Sequence, residues 1–104
     1  MIRHIVLFRY RESAQQGQID QINHAFLGLK DNIPGILEIE HGINDSPEEK
    51  NLGFTHIFQL TFRDGEARDA YLPHPEHIKF GKLLDELDIV TDAMVVDYQA
   101  KRDG

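Results

Sequence analysis

The sequence predicts an α+β fold in which a four-stranded antiparallel sheet carries two helices on one of its faces. Several short segments alternate between apolar and other residues, which is typical of strands. In two longer segments the apolar residues recur every three or four positions, which is typical of amphipathic helices. These segments follow one another in the order β-α-β-β-α-β. A chain of 104 residues is long enough for one domain, and we expect residues 1–104 to form a single one.

The first strand and the first helix show the two periods clearly. Residues 2–10 alternate and carry apolar side chains on both faces, so we expect this strand to be covered on both sides. The apolar residues of the helix lie three or four positions apart: Ile19, Ile22, Phe26, Leu29 and Ile33. Pro34 and Gly35 end this helix, because proline cannot continue its hydrogen bonds and glycine permits a tight turn.

The remaining segments complete a familiar order of elements. They are a strand over 36–43, a polar loop over 44–53, a strand over 54–62, a short helical piece over 66–71, a helix over 75–87 and a strand over 89–98. This order is the split βαβ, or ferredoxin-like, arrangement. We therefore predict a ferredoxin-like subunit.

The sheet has a second face that two helices cannot cover. The residues available for this face are apolar: Ile5 and Leu7 with either Ala93 and Val95 or Met94, Val96 and Tyr98. Exposed apolar patches of this extent usually mark an interface. We expect a homodimer in which the sheets of two subunits pack face to face. The alternative is that these residues are scattered apolar side chains on the surface.

Composition limits the partners that the chain can have. A formal net charge of −7 repels nucleic acid and anionic membranes, and no dense basic block offsets it. No apolar stretch approaches the roughly 20 residues of a membrane span, so we expect a soluble, cytoplasmic protein. The absence of cysteine excludes disulfides and thiol catalysis. Because no nucleotide, flavin or phosphate motif is present, we expect no cofactor.

The segment "HPEH" at residues 74–77 is typical of the start of a helix. Pro75 suits the first helical position, which makes His74 the expected cap residue. Glu76 is favoured by the positive end of the helix dipole, whereas a protonated imidazole is disfavoured there. His77 is therefore expected to be neutral and able to accept a proton.

Strand parity adds two further histidines to a candidate pocket. His4 shares its face with Phe8, and His56 shares its face with Phe58, which is the face assigned to the helices. We expect His4, His56 and His77 to surround one pocket between the sheet and the helices.

Five segments in order resemble the stress-responsive A/B barrel family, also called Dabb or dimeric α/β barrel proteins. They are "IRHIVLF", "IPGI" followed by "GIN", "GFTHIFQLTF", "YLPHPEHIKF" and "VVDY", which together extend from Ile2 to Tyr98. The resemblance implies a ferredoxin-like subunit and a homodimer with a sheet-to-sheet barrel. Many members of this family have no assigned reaction, and some are associated with stress responses.

A plant polyketide cyclase resembles this family closely, and the likeness implies roles for particular residues. The histidine of its "HPxH" motif acts as base and the preceding tyrosine assists, which match His77 and Tyr71 here. Two further pocket histidines match His4 and His56. A pocket tyrosine on its first helix corresponds to Phe26, so the same substrate is not implied. The expected site thus has a catalytic pair, His77 and Tyr71, and four substrate-binding residues, His4, His56, Phe26 and Phe58.

Each of these residues also has a purely structural explanation. His77 and Tyr71 can pack and hydrogen-bond at a helix boundary, and His4 and His56 can find hydrogen-bond partners within a core. A metal site would require three or four ligands, whereas "HPEH" offers two histidines. Since His74 as a cap would point away from His77, we predict no metal site.

Three classes of function compete. The first is an enzyme that removes a proton next to a carbonyl, as in aldol-type cyclisation, dehydration or isomerisation of a small ketide-like or aromatic keto acid. The second is a stress-associated module that binds a small apolar ligand without turnover. The third is a cofactor-independent monooxygenase, which rests on analogy between folds.

Overall fold

One antiparallel sheet and three helices make up the computed structural model, which describes residues 1–102. The elements are β1 (Ile2–Tyr10), α1 (Gln16–Asn32), β2 (Ile36–Ile43), β3 (His56–Phe62), α2 (Gly65–Tyr71), α3 (Pro75–Leu87) and β4 (Val90–Gln99). The strands lie in the order β2-β3-β1-β4, and each pair of neighbours is antiparallel. The predicted ferredoxin-like α+β fold is confirmed.

Helix α1 begins three residues before the first apolar residue of its pattern, Ile19. Gln15 is the cap residue: its backbone N–H donates to the side chain of Gln18 at 3.0 Å, and its carbonyl oxygen accepts from the backbone N–H of Gln18 at 3.0 Å. Glutamine thus occupies the cap position, where serine or threonine is usual. The apolar pattern, which starts at Ile19, therefore does not mark the first turn of the helix.

Strand β3 is two residues shorter than predicted. The backbone N–H of Phe54 donates to the carbonyl oxygen of Asn51 at 2.9 Å, which closes a turn. Phe54 therefore fits the alternation of apolar residues in the sequence, but it lies outside strand β3, which begins at His56.

The start of α3 matches its prediction. The Nδ1 atom of His74 accepts from the backbone N–H of Glu76 at 3.1 Å, and Pro75 occupies the first helical position. The helix ends at Leu87, and its C-cap residue, Asp88, has a left-handed backbone with φ 49°. Residues 74 and 77 are thereby fixed on a rigid helix start.

The hydrophobic core lies between the sheet and the helices. Its fully buried side chains are Phe8, Ile22, Phe26, Phe58, Leu60, Phe62 and Tyr71. The turn into β2 brings the backbone against α2, because a Cβ atom at Gly35 would lie 2.7 Å from the Cβ of Ala67. Gly35 also has φ +94°, which favours glycine.

The register of β4 against β1 settles which residues lie on the sheet face opposite the helices. Val96 pairs with Ile5 and Met94 pairs with Leu7 on this face, next to Tyr98. The three side chains of β4 are 37% to 47% exposed in the single chain. Ala93 and Val95 lie on the helix side instead. No helix within residues 1–102 is long and apolar enough to cross a membrane.

Candidate functional site

Three of the predicted site residues meet where α2, α3 and β1 converge. The ring centroid of Tyr71, at the end of α2, lies 4.4 Å from that of His77 in the first turn of α3. The ring of His4 on β1 meets Tyr71 edge to face at 5.7 Å. The proline turn between α2 and α3 brings Tyr71 and His77 together, and strand parity turns His4 toward them.

The hydrogen bond of His77 identifies its free nitrogen. Its Nδ1 lies 2.9 Å from the carbonyl oxygen of Leu72. Because a carbonyl oxygen can only accept, Nδ1 carries the hydrogen and donates. In the neutral ring the lone pair is then on Nε2. The ring is partly exposed, so a substrate can reach it.

His4 is held by a carboxylate that sequence reasoning missed. Its Nδ1 lies 2.7 Å from one carboxylate oxygen of Asp97, and the other oxygen accepts from Nη1 of Arg68 at 2.8 Å. The carboxylate can only accept, so His4 donates from Nδ1 and its lone pair is on Nε2. The three side chains form one hydrogen-bonded chain from α2 through β4 to β1.

Burial leaves the ring of His4 neutral. Burial lowers the pKa of His4, and this effect outweighs the opposing charge and hydrogen bond of Asp97. The nearby His77 and Arg68 lower the pKa further. Burial raises the pKa of Tyr71, whose side chain is 1% exposed, so its phenol stays protonated and can donate.

Val95 on β4 lies two residues from Asp97, on the same face of the sheet as His4. Val95 lies opposite Val6 on the helix side of the sheet, yet it is 57% exposed. It is exposed because α1 packs on β2 and α2 packs on β3, which leaves β4 at the uncovered edge. The exposed Val95 is therefore on the same sheet face as His4, whose imidazole is neutral and which contacts the protonated phenol of Tyr71. Such an arrangement can accept a proton from a bound molecule and donate a hydrogen bond to it.

The structure places His56 away from this cluster. His56 pairs with Phe8, whereas His4 pairs with Leu60, so the two histidines are four residues apart along the sheet. At about 3.3 Å per residue they are separated by roughly 13 Å. The expectation that His4, His56 and His77 surround one pocket is therefore corrected, because parity defines the face of a strand but not the position along it. The ring of His56 instead contacts Tyr10, with centroids 4.7 Å apart.

Phe26 and Phe58 lie in the core, between the cluster of His4 and His77 and the separate His56. Their rings stack with centroids 4.3 Å apart, and both side chains are almost completely buried. Phe58 also borders a cavity of about 370 Å³ beside His56, while a cavity of about 470 Å³ lies between α1 and α3. In residues 1–102 no group of three histidine, aspartate or glutamate side chains is arranged to hold a metal ion.

Of the two site residues that were not predicted, Asp97 could have been identified from the sequence, whereas Arg68 could not. Asp97 is a charged residue in an otherwise apolar stretch, and its parity with Val95 places it on the same face as His4. That charge inside an apolar strand could have identified it. Arg68 lies on a short helix and reaches a partner 29 residues away, so no local pattern points to it.

The chain belongs to the stress-responsive A/B barrel domain family, whose sequence model matches residues 2–100. A stress-response A/B barrel domain-containing protein of Arabidopsis thaliana, HS1, is 29% identical over 99 residues, covering 94% of this chain and 88% of that protein. Olivetolic acid cyclase of Cannabis sativa is 25% identical over 80 residues, covering 77% of this chain and 79% of the cyclase.

Solved structures show the same fold. The hydroxynitrile lyase from Passiflora edulis superposes with a TM-score of 0.87 at 28% identity, covering 99% of this chain and 95% of the lyase. A dimeric ferredoxin-like protein of unknown function from Jannaschia superposes with a TM-score of 0.76 at 31% identity, covering 95% of this chain and 98% of that protein.

Proposed function

We propose that this protein is a cofactor-free lyase or cyclase that removes a proton next to a carbonyl group, with His77 as the base. The observation that carries this proposal is the contact between His77 and the protonated phenol of Tyr71. The hydrogen bond from His77 to Leu72 leaves the lone pair of the neutral ring on Nε2. The similarity to a cyclase and to a hydroxynitrile lyase supports the same class of reaction.

The proposed reaction divides the work between two residues. Nε2 of His77 takes the proton from the substrate carbon, and the electron pair of the broken C–H bond moves toward the carbonyl oxygen. Tyr71 donates a hydrogen bond to the developing enolate oxygen, where a placed donor is most effective. The imidazolium of His77 then returns the proton to the product. The neutral ring of His4 packs against Tyr71. Its orientation is fixed by the hydrogen bond to Asp97.

The substrate proposed for this site is a small apolar or aromatic keto acid or a related carbonyl compound. The stacked rings of Phe26 and Phe58 fill the interior. Space for a ligand is therefore on the open side, above Val95, rather than deep in the core. An apolar ring or short chain would cover this exposed valine.

The same proposal includes a homodimer formed through the sheet face opposite the helices. Met94, Val96 and Tyr98 give this face an apolar surface that a second copy can bury. A dimeric neighbour of similar fold supports this assembly.

A substrate is first sought by a thermal-shift screen against aromatic acids, keto acids and hydroxynitriles, followed by an assay of turnover. His77→Ala should then lower turnover by roughly 10²–10⁴ with the fold intact, because general-base catalysis contributes about that much. Tyr71→Phe should lose less, since it removes one donor. His74→Ala is the matched control: it removes the helix cap and lowers stability without lowering turnover comparably. Full turnover by His77→Ala would refute the assignment.

The second candidate is a stress-associated homodimer that binds such a ligand without turnover. The exposed Val95 is compatible with simple binding, and the chain is similar to HS1, a stress-response A/B barrel domain-containing protein. A compound that stabilises the protein and is recovered unchanged after prolonged incubation would favour this candidate.

A further inference from the structure

The loop between β2 and β3 ends in a strained segment that carries an exposed leucine. Leu52 has a left-handed backbone with φ 52°, and its side chain is 72% exposed. This conformation is unfavourable for most residues other than glycine, and it persists only where neighbouring contacts hold it. An apolar side chain is thus held in solvent on a backbone that leucine does not favour.

Arg9 of β1 holds this segment in place. Its Nη2 donates to the carbonyl oxygen of Leu52, and its guanidinium lies 5.0 Å from the centroid of the Phe54 ring. The backbone of Gly53 packs against the same side chain, because a Cβ atom at Gly53 would lie 2.8 Å from Nε of Arg9. These contacts fix the left-handed backbone of Leu52 from outside the loop.

The side chain of Arg9 lies on the sheet face opposite the helices. Arg9 is two residues from Leu7 on β1, and it pairs in register with Asp92 of β4. Its Nη1 donates to Asp92 at 3.0 Å. Asp92 lies two residues before Met94, so this ion pair borders the apolar surface at Leu7 and Met94. The backbone of Leu52 is therefore held at the edge of that surface.

We propose that Leu52 is an anchor of the subunit interface and packs against the apolar sheet face of a second copy of this chain. This inference rests on the proposed homodimer, and it adds a loop to a contact otherwise made by the strands. The loop end lies next to the apolar face that the homodimer would bury, and the dimeric neighbour of similar fold supports a second copy as the occupant.

The charges at this edge of the sheet do not oppose the burial of Leu52. The positive charge of Arg9 is compensated by Asp92 and by the ring of Phe54. A partner that covers Leu52 therefore leaves no uncompensated charge in an apolar interface, which would be costly. Because the contacts of Arg9 already fix the loop, binding the partner also costs little conformational entropy.

Leu52→Ala tests this contact by sedimentation equilibrium of the full chain. We expect the dissociation constant of the dimer to rise roughly 100-fold, because truncating a buried leucine costs about tenfold and a two-fold axis counts it twice. Ile78→Ala is the matched control, since Ile78 is an apolar residue of α3 that is 49% exposed. It should leave the dissociation constant unchanged.

A stability measurement separates a role in the interface from packing within one subunit. Leu52→Asn introduces a residue that tolerates the left-handed backbone. In the Val96→Asp background, which is expected to be monomeric, this substitution should raise the urea midpoint of unfolding. In the parent chain the same substitution should weaken the dimer, as Leu52→Ala does. The two measurements move in opposite directions because Leu52 is strained in the monomer and buried in the dimer.

Three results would overturn this inference and leave the proposed homodimer standing. They are an unchanged dissociation constant in Leu52→Ala when Val96→Asp gives a monomer, an equal effect of Ile78→Ala, and a lower urea midpoint for Leu52→Asn in the Val96→Asp background. A parent chain that is monomeric at micromolar concentration would refute the homodimer and this inference together.

Discussion

Asp97 and His4 face each other across β4 and β1, with a carboxylate oxygen of Asp97 2.7 Å from Nδ1 of His4. The carboxylate thereby selects the ring tautomer of a buried histidine that contacts Tyr71. Because the second carboxylate oxygen is held by Arg68, the negative charge of Asp97 is compensated at the point where it would otherwise favour imidazolium.

Removing that compensation should change the titration of His4. In Arg68→Met, the pKa of His4 should rise, because a nearby positive charge is lost and Asp97 retains its negative charge. NMR signals of the His4 ring, followed against pH, measure this change. Arg63→Met is the control, since Arg63 is an exposed residue that pairs with Asp64 away from the site. A pKa of His4 that falls or stays constant in Arg68→Met would contradict the role given to Arg68.

Stability should fall when the pH is lowered below the ordinary pKa of histidine. The folded-state pKa of His4 and that of His56 lie below 6.5, so the unfolded chain takes up protons first as the pH falls. The free energy of unfolding from urea denaturation should therefore be lower at about pH 5.5 than at about pH 7.5.

A variant pair identifies the residue responsible for this pH dependence. His4→Gln should reduce the difference between the two pH values because it removes one of the titrating groups. His24→Gln, at an exposed position on α1, is the control and should leave the difference as it is in the parent chain. An undiminished difference in His4→Gln would exclude His4 as a source of the pH dependence.

Two adjacent valines on β4 test the proposed dimer. Val96→Asp places a charge on the face opposite the helices and should convert the dimer to a monomer in sedimentation equilibrium, because an unpaired charge in an apolar interface is costly. Val95→Asp introduces the same charge one residue away on the helix side and should leave the dimer intact. Equal behaviour of the two variants would place the interface elsewhere.

Two glycines should respond to alanine in opposite directions. Gly35→Ala should lower the free energy of unfolding by roughly 1–3 kcal/mol, because the backbone is left-handed and the new Cβ would collide with Ala67. Gly28→Ala should raise it by about 0.5–1 kcal/mol, because Gly28 lies inside α1 with nothing within 4 Å of a new Cβ. Urea denaturation at constant m-value measures both. A stable Gly35→Ala would indicate that this turn can relax.

Features that depend on neighbouring residues were predictable from the sequence. The cap at His74 follows from two prolines and the helix pattern after them, and the helix-side position of His4 follows from alternation along one strand. The fold class follows from the order of such elements. These predictions succeeded because the forces that determine the structure act within a few residues.

Features that depend on the register between distant strands were not predictable. The pairing of Asp97 with His4 joins residues 93 positions apart, and no pattern within either strand specifies it. The separation of His56 from His4 also depends on strand register. Two strands whose faces are correctly assigned can still pair in different registers. The stacking of Phe26 on Phe58 was not predictable either, since the packing of aromatic rings depends on the completed core. Contact of Phe26 with a substrate stays a prediction.

The central position of β1 in the sheet, between β3 and β4, has a consequence for the nascent chain. β1 is synthesised before the other strands of this sheet, but both strands that pair with it, β3 and β4, follow α1 and β2 in the sequence. The backbone hydrogen-bonding groups of β1 and the ring of His4 therefore stay unpaired during most of translation. In that time they can bind chaperones or the β1 segment of a neighbouring nascent chain. The hydrogen bond that orients the ring of His4 can form only after Asp97 has been synthesised.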